Sequence, residues 1–260
     1  MRQIYPVPAP GQGNQIPDTG ALLAKLYAYP ELAVAGEPWV RANMISSADG
    51  AAVLDGRAGG LGGPADRMLL QVLRSLADVV LVGAGTVRAE NYKAARPAAM
   101  LAELREGRPA APPIAVVSAS LSLDPESPLL AAAPAGARTI VITTSAAPAD
   151  RRGALARVAE VIVAGEERVS PAAAVAALGQ RGYPRVLTEG GPILLAQLAA
   201  DGALDELCLT FSPVLAGGDA RRILAGPPAA PPLPGGPRSL RLAHLLADDG
   251  FLFCRYLLAG

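Results

Sequence analysis

From Trp39 onward, short apolar runs alternate with stretches whose apolar residues recur at helical spacing. WVRANMIS, DVVLVG, IAVVS, TIVIT, VIVAG, RVLTEGG and DELCLTFSPVL read as strands, while PADRMLLQVLRSLA, PAAAVAALGQRG and PILLAQLAADG read as helices. Repeated strand and helix units predict a three-layer α/β architecture, a mostly parallel sheet with helices on both faces. The chain end differs. In LRLAHLLADDGFLFCRYLL two apolar runs flank Asp248-Asp249-Gly250, a tight-turn sequence that predicts an antiparallel hairpin added to the sheet. The helix from Pro64 has a core stripe of Met68, Leu69, Val72, Leu73 and Leu76.

Residues 1–38 place four prolines before a helical pattern from Asp18 to Tyr29, in which Asp18 is suited to cap the helix and Leu22, Leu23 and Leu26 share a face. The stretches Gly56–Gly63, Arg105–Pro113, Ser118–Gly136 and Gly226–Pro237 are loops by composition, and none separates domains. The expected organisation is one domain, 39–260, preceded by an arm, 1–38.

Charge then narrows the partner. Lys plus Arg and Asp plus Glu number 23 each, so no net basic field exists to hold a nucleic acid backbone or an anionic membrane. One histidine and two cysteines without CxxC spacing supply no metal-ligand set. No apolar leader opens the sequence and no run reaches the ~20 residues of a membrane span, so a reduced, cytoplasmic protein with a small-molecule ligand is expected.

Candidate chemistry gathers at strand ends. In LVGAGTVRAEN, Gly83 and Gly85 let the backbone turn tightly after a strand and Thr86 is suited to cap the next helix. Arg88 occupies the last position of GxGxxG, so the dinucleotide fingerprint of a Rossmann fold fails. A second turn, Glu189-Gly190-Gly191, leads into Pro192, a residue suited to the first position of a helix. Two such turns side by side at the carboxyl edge of a parallel sheet suit the phosphates of a dinucleotide; each is equally a plain strand-to-helix connection.

Ser47 and Asp49, in SSADG after the first long strand, are suited to contact a substrate or supply a proton, or simply to make a turn. Arg67, Gln71 and Arg74 share one helical face, which is either a phosphate clamp or a solvated surface. The glycine-rich loop 56–63 is permissive enough to act as a lid or a connection. His244 reads as a structural residue, and no GxSxG supports a serine triad.

SSADG, GGLGGPADR, VLRSLADVVLVGAGTVRAEN, TEGGPILLAQL and LDELCLTFSPVLAGG occur in the order found in the riboflavin-pathway reductases of the RibD C-terminal domain type, and this chain resembles their stand-alone form. The resemblance covers about Trp39 to Tyr256 and implies a dihydrofolate-reductase-like fold and a homodimer. It also implies NADPH-dependent reduction of 5-amino-6-(5-phosphoribosylamino)uracil to the ribitylamino form.

Carried onto this sequence, the resemblance gives Gly83, Gly85, Thr86, Glu90, Thr143, Thr144, Gly190 and Gly191 to the cofactor. It gives Asn43, Ser47, Arg67 and Arg74 to the phosphorylated pyrimidine, and Asp49 and Glu189 to catalysis. Asn43 stands where the fused enzymes commonly have lysine, and Glu90 where many members have aspartate. The H-x-E and PCxxC pattern of a nucleobase deaminase is absent from this sequence. Two other readings keep the fold: a pterin or dihydrofolate reductase, and a non-catalytic NADPH-binding protein.

Overall fold

The computed structural model describes residues 1–8, 13–16, 20–31, 37–134, 136–226 and 233–258. In chain order the elements are β1 (Arg2–Tyr5), α1 (Gly20–Leu26), β2 (Trp39–Ser47), α2 (Pro64–Leu76), β3 (Val79–Gly83) and α3 (Ala84–Ala89). Then come β4 (Ile114–Val117), α4 (Pro128–Ala131), β5 (Ile140–Thr143), α5 (Ala149–Ala156), β6 (Glu160–Val163) and α6 (Pro171–Gly179). The chain closes with β7 (Arg185–Thr188), α7 (Pro192–Ala200), β8 (Glu206–Ser212), β9 (Leu240–Asp248) and β10 (Phe251–Leu258).

Ten strands form one sheet in the order β1-β9-β10-β8-β2-β7-β3-β4-β5-β6. From β8 to β6 all neighbours run parallel, and β10, β9 and β1 extend the sheet antiparallel. The expected mostly parallel sheet with a terminal hairpin is therefore present. Asp249 and Gly250, at φ 44° and 80°, form the two-residue turn, and both lie in the left-handed region that such hairpins require.

Helices cover both faces because the parallel strands are apolar on both. On β3, Val80 and Val82 join the core beneath α1 and α2, whereas Val79 and Leu81 join the core beneath α6 and α7. The α2 stripe buries Leu69, Val72 and Leu73 completely and Met68 and Leu76 in part. Each fully buried side chain of this kind contributes roughly 1.5–3 kcal/mol.

The arm is built into the domain. β1 is an edge strand on β9, and α1 packs against α2. The helix begins at Gly20, and the expected cap Asp18 lies outside the described residues.

Beneath α1 lies a polar cluster that periodicity did not signal. Glu206 accepts from Arg41 Nε at 2.6 Å, Arg255 Nε at 2.8 Å and Trp39 Nε1 at 3.1 Å, with Arg41 and Glu206 both fully buried. Arg41 also lies over the Tyr29 ring, 4.0 Å from its centroid. His244 is buried edge-on against Tyr27, and burial, then Arg255, pushes its pKa down to about 4, so it is a neutral packing residue. Among the described residues no helix is long and apolar enough to cross a membrane, and no cluster of His, Cys, Asp and Glu could hold a metal ion.

Candidate active site

The two glycine turns meet because β3 and β7 are adjacent and parallel. Gly83 N–H donates to the Gly190 carbonyl at 2.9 Å, tying the turns together, and the Gly190–Gly191 peptide is cis. Neither glycine of the second turn tolerates a side chain. Gly190 has φ 85° and a Cβ there would lie 3.2 Å from Met44 Sδ; at Gly191 it would lie 2.6 Å from Thr86 Oγ1.

Along the same edge, Ser118 Oγ after β4 and Thr143 Oγ1 at the end of β5 are buried without a hydrogen-bond partner. A side-chain-free cradle beside unsatisfied hydroxyls fits a dinucleotide. Thr144 is also buried there, and Gly85 faces open space. One local expectation is corrected. Gly83 is the cap of α3, and Thr86 sits inside that six-residue helix with its hydroxyl toward Gly191.

In front of the cradle opens a cavity of about 810 Å³ between β2, α2 and the segment 90–112. Glu189, first residue after β7, enters it and meets Arg74 from α2. Arg74 Nε donates to Glu189 Oε1 at 2.7 Å and Nη2 to Oε2 at 2.6 Å. The Tyr92 hydroxyl donates to the same Oε2 and accepts from Arg74 Nη2 at 2.8 Å. Burial opposes the charge on Arg74, but Glu189 more than offsets it and raises the guanidinium pKa. Across the cavity, burial raises the pKa of Asp66.

The expected substrate residues divide. Asn43 lines the cavity with a buried, unpartnered Oδ1, and Arg74, Glu90 and Thr86 line it too. Ser47 and Asp49 do not. The Ser47 hydroxyl donates to Asp49 at 2.5 Å and accepts from Ala51 N–H at 2.9 Å, so it is consumed in the turn after β2. Asp49 is exposed and accepts from Ala216 and Gly217 N–H at 3.0 and 2.7 Å. Ser47 first, then those two N–H groups, hold its carboxyl far below the usual range, and Asp49 ties the turn after β2 to the loop 216–217 outside the cavity lining.

Arg67 is exposed outside the cavity, and Arg74 is engaged by Glu189, so the two arginines do not form the expected clamp. Glu90 accepts from Ala58 N–H at 2.7 Å, and Ser212 Oγ donates to the Leu61 carbonyl at 2.8 Å. The glycine-rich loop is thereby fastened over the cavity rim at both ends.

Tyr92, Asp66, Lys93 and Arg96 also line the cavity and escaped the motif reading. A signal for Tyr92 existed. Asn91, at φ 49°, ends α3 in the left-handed conformation, and Tyr92 N–H returns to the Val87 carbonyl at 2.9 Å, the long bond of a Schellman motif. That motif turns the chain back over the cavity.

The fold and the site define an α/β oxidoreductase. Residues 38–250 match the RibD C-terminal domain, and the chain belongs to this family of pyrimidine reductases. It is 31% identical over 184 residues, 70% of this chain and 83% of the relative, to the 2,5-diamino-6-ribosylamino-4(3H)-pyrimidinone 5′-phosphate reductase of Archaeoglobus fulgidus. The structure of a pyrimidine reductase-like protein from Corynebacterium diphtheriae superposes with a TM-score of 0.80 at 30% identity, over 93% of this chain and 99% of that one. RibD of Acinetobacter baumannii shares the fold, with a TM-score of 0.67 at 21% identity over 86% of this chain and 59% of that one.

Proposed function

We propose that the protein uses NADPH to reduce 2,5-diamino-6-ribosylamino-4(3H)-pyrimidinone 5′-phosphate to its ribitylamino form, rather than the aminouracil counterpart. The observation that carries this is the entry of Glu189 into the cavity directly from the glycine cradle, which would put a carboxylate between a bound cofactor and the substrate. The archaeal relative bears the name of that diamino substrate.

The cradle residues Gly83, Gly190, Gly191 and Thr86, with Ser118 and Thr143, would hold NADPH, which supplies a hydride when bound. The ring-opened imine of the substrate would then be reduced to an amine, with the hydride on C1′ and a proton from solvent on nitrogen. Glu189 Oε1 and Asn43 Oδ1 are acceptors that suit ring amino and hydroxyl groups. Lys93 and Arg96, which have no carboxylate partner among the described residues, suit the 5′-phosphate. Anaerobic oxidation of NADPH, with the diamino pyrimidinone, the aminouracil and dihydrofolate offered in parallel, tests the reading. Turnover of the first is expected; turnover of dihydrofolate alone would overturn it.

Two arginines beside the loop after β4 support the choice of NADPH over NADH. Arg88 Nη1 donates to the Ser122 carbonyl at 3.4 Å, and Arg151 Nη1 donates to the Ser120 carbonyl and Ser122 Oγ at 3.1 and 3.3 Å. Both guanidiniums have only neutral partners there, which suits a 2′-phosphate. Arg88→Ala with Arg151→Ala should weaken NADPH binding roughly 10-fold and leave NADH unchanged by calorimetry.

The protein is further proposed to work in the cytoplasm as a homodimer. The outer side of the hairpin offers an apolar face on which exposed Leu252 sits between Ala247 and Phe211. Light scattering should return twice 26.4 kDa, and a mass of 26.4 kDa would count against the dimer.

A further inference from the structure

Tyr92 belongs to none of the expected site residues, yet it completes the polar cluster with Arg74 and Glu189 in the cavity lining. Glu189 has two oxygens and Arg74 covers one lone pair on each, through Nε at 2.7 Å and Nη2 at 2.6 Å. The phenol adds a second donor to Oε2 only. That oxygen is then saturated, and Oε1 keeps the single open lone pair. The same hydroxyl accepts from Arg74 Nη2 at 2.8 Å, and the guanidinium carbon lies 5.5 Å from the ring centroid. Two of the three guanidinium nitrogens of Arg74, Nε and Nη2, are thus committed to Glu189 and Tyr92.

We propose that Tyr92 is a positioning residue that orients the Glu189 carboxylate and directs its Oε1 to the substrate. The backbone supports the assignment. The Schellman return after α3 fixes the approach of Tyr92, and its ring packs on the core beneath α2, so the phenol arrives with few conformations to lose. Tyr92 acts through Glu189, and the inference rests on the cavity being the reductase site proposed above.

The test is a double-mutant cycle of Tyr92→Phe and Glu189→Gln, read by NADPH oxidation in single turnover and by urea unfolding. Tyr92→Phe keeps the ring and removes the donor. It should lower the rate about 10-fold while the KM for NADPH stays within about twofold. In the Glu189→Gln background the same change should cost less than about twofold, because its effect passes through the carboxylate. A wild-type rate for Tyr92→Phe, or an undiminished 10-fold loss in the Glu189→Gln background, would overturn the assignment.

Failure of the wild-type protein to oxidise NADPH with any of the pyrimidines would instead remove the functional reading. The unfolding midpoints then decide for Tyr92: non-additive shifts keep the oriented cluster, and additive shifts overturn it.

Discussion

Glu189→Gln should lower kcat by about 10- to 100-fold while NADPH still binds, because it removes the carboxylate that the turn after β7 carries into the cavity. The estimate follows from the roughly 1.5–3 kcal/mol that a hydrogen bond to a charged group contributes. The substitution also leaves Arg74 without an anionic partner, so a fall of roughly 1–3 kcal/mol in stability should accompany it. Asp49→Asn is the counterpart. Asp49 is exposed, ionised and bonded to the loop 216–217, so its loss should loosen that loop and change kcat less than about threefold. Steady-state rates and NADPH affinity on the two variants check both expectations. Equal losses would mean that the cavity is not where the reaction occurs.

The largest stability effect is expected at Glu206. Its carboxylate is the shared partner of Arg41, which is 0% exposed, and of Arg255. Glu206→Ala leaves two guanidiniums in the core without a counter-charge and should cost about 3–5 kcal/mol by urea unfolding. Arg41→Met should cost less, since Arg255 and Trp39 still serve the carboxylate.

The cluster also sets a pH dependence. Burial pushes the Glu206 pKa up, but Arg41 and Arg255 more than offset this and hold it below its ordinary 4.5. A depressed folded-state pKa means that this stabilisation is fully present above the ordinary value and is lost as pH falls through the folded one. The urea midpoint of the wild type should therefore drop on acidification below about pH 4.5, and that of Glu206→Ala should drop less.

Much of the fold was legible because it depends on local pattern. Continuous apolar runs marked the parallel strands, Asp249-Gly250 marked the hairpin, and Pro192 marked the start of α7. The arm was less legible. β1 is four residues long on a sheet edge, with too few apolar positions to show a period. Arg41 escaped for a related reason: a charged residue in a strand pattern reads as solvent-facing, and its burial depends on Glu206 and Arg255, 165 and 214 residues away.

The sequence by itself determined that two glycine turns end parallel strands and that Glu189 opens the second of them. It could not determine which polar residues share a cavity. Ser47 and Asp49 sit in a motif as suggestive as TEGG, but their hydrogen bonds close within the turn and with a loop more than 160 residues on. Tyr92, in no motif, reaches Glu189 across 97 positions. Backbone conformation is governed by neighbours along the chain, and sequence reports it well. Side-chain availability is governed by which donors and acceptors the packed sheet leaves unpaired, and only the tertiary structure decides that.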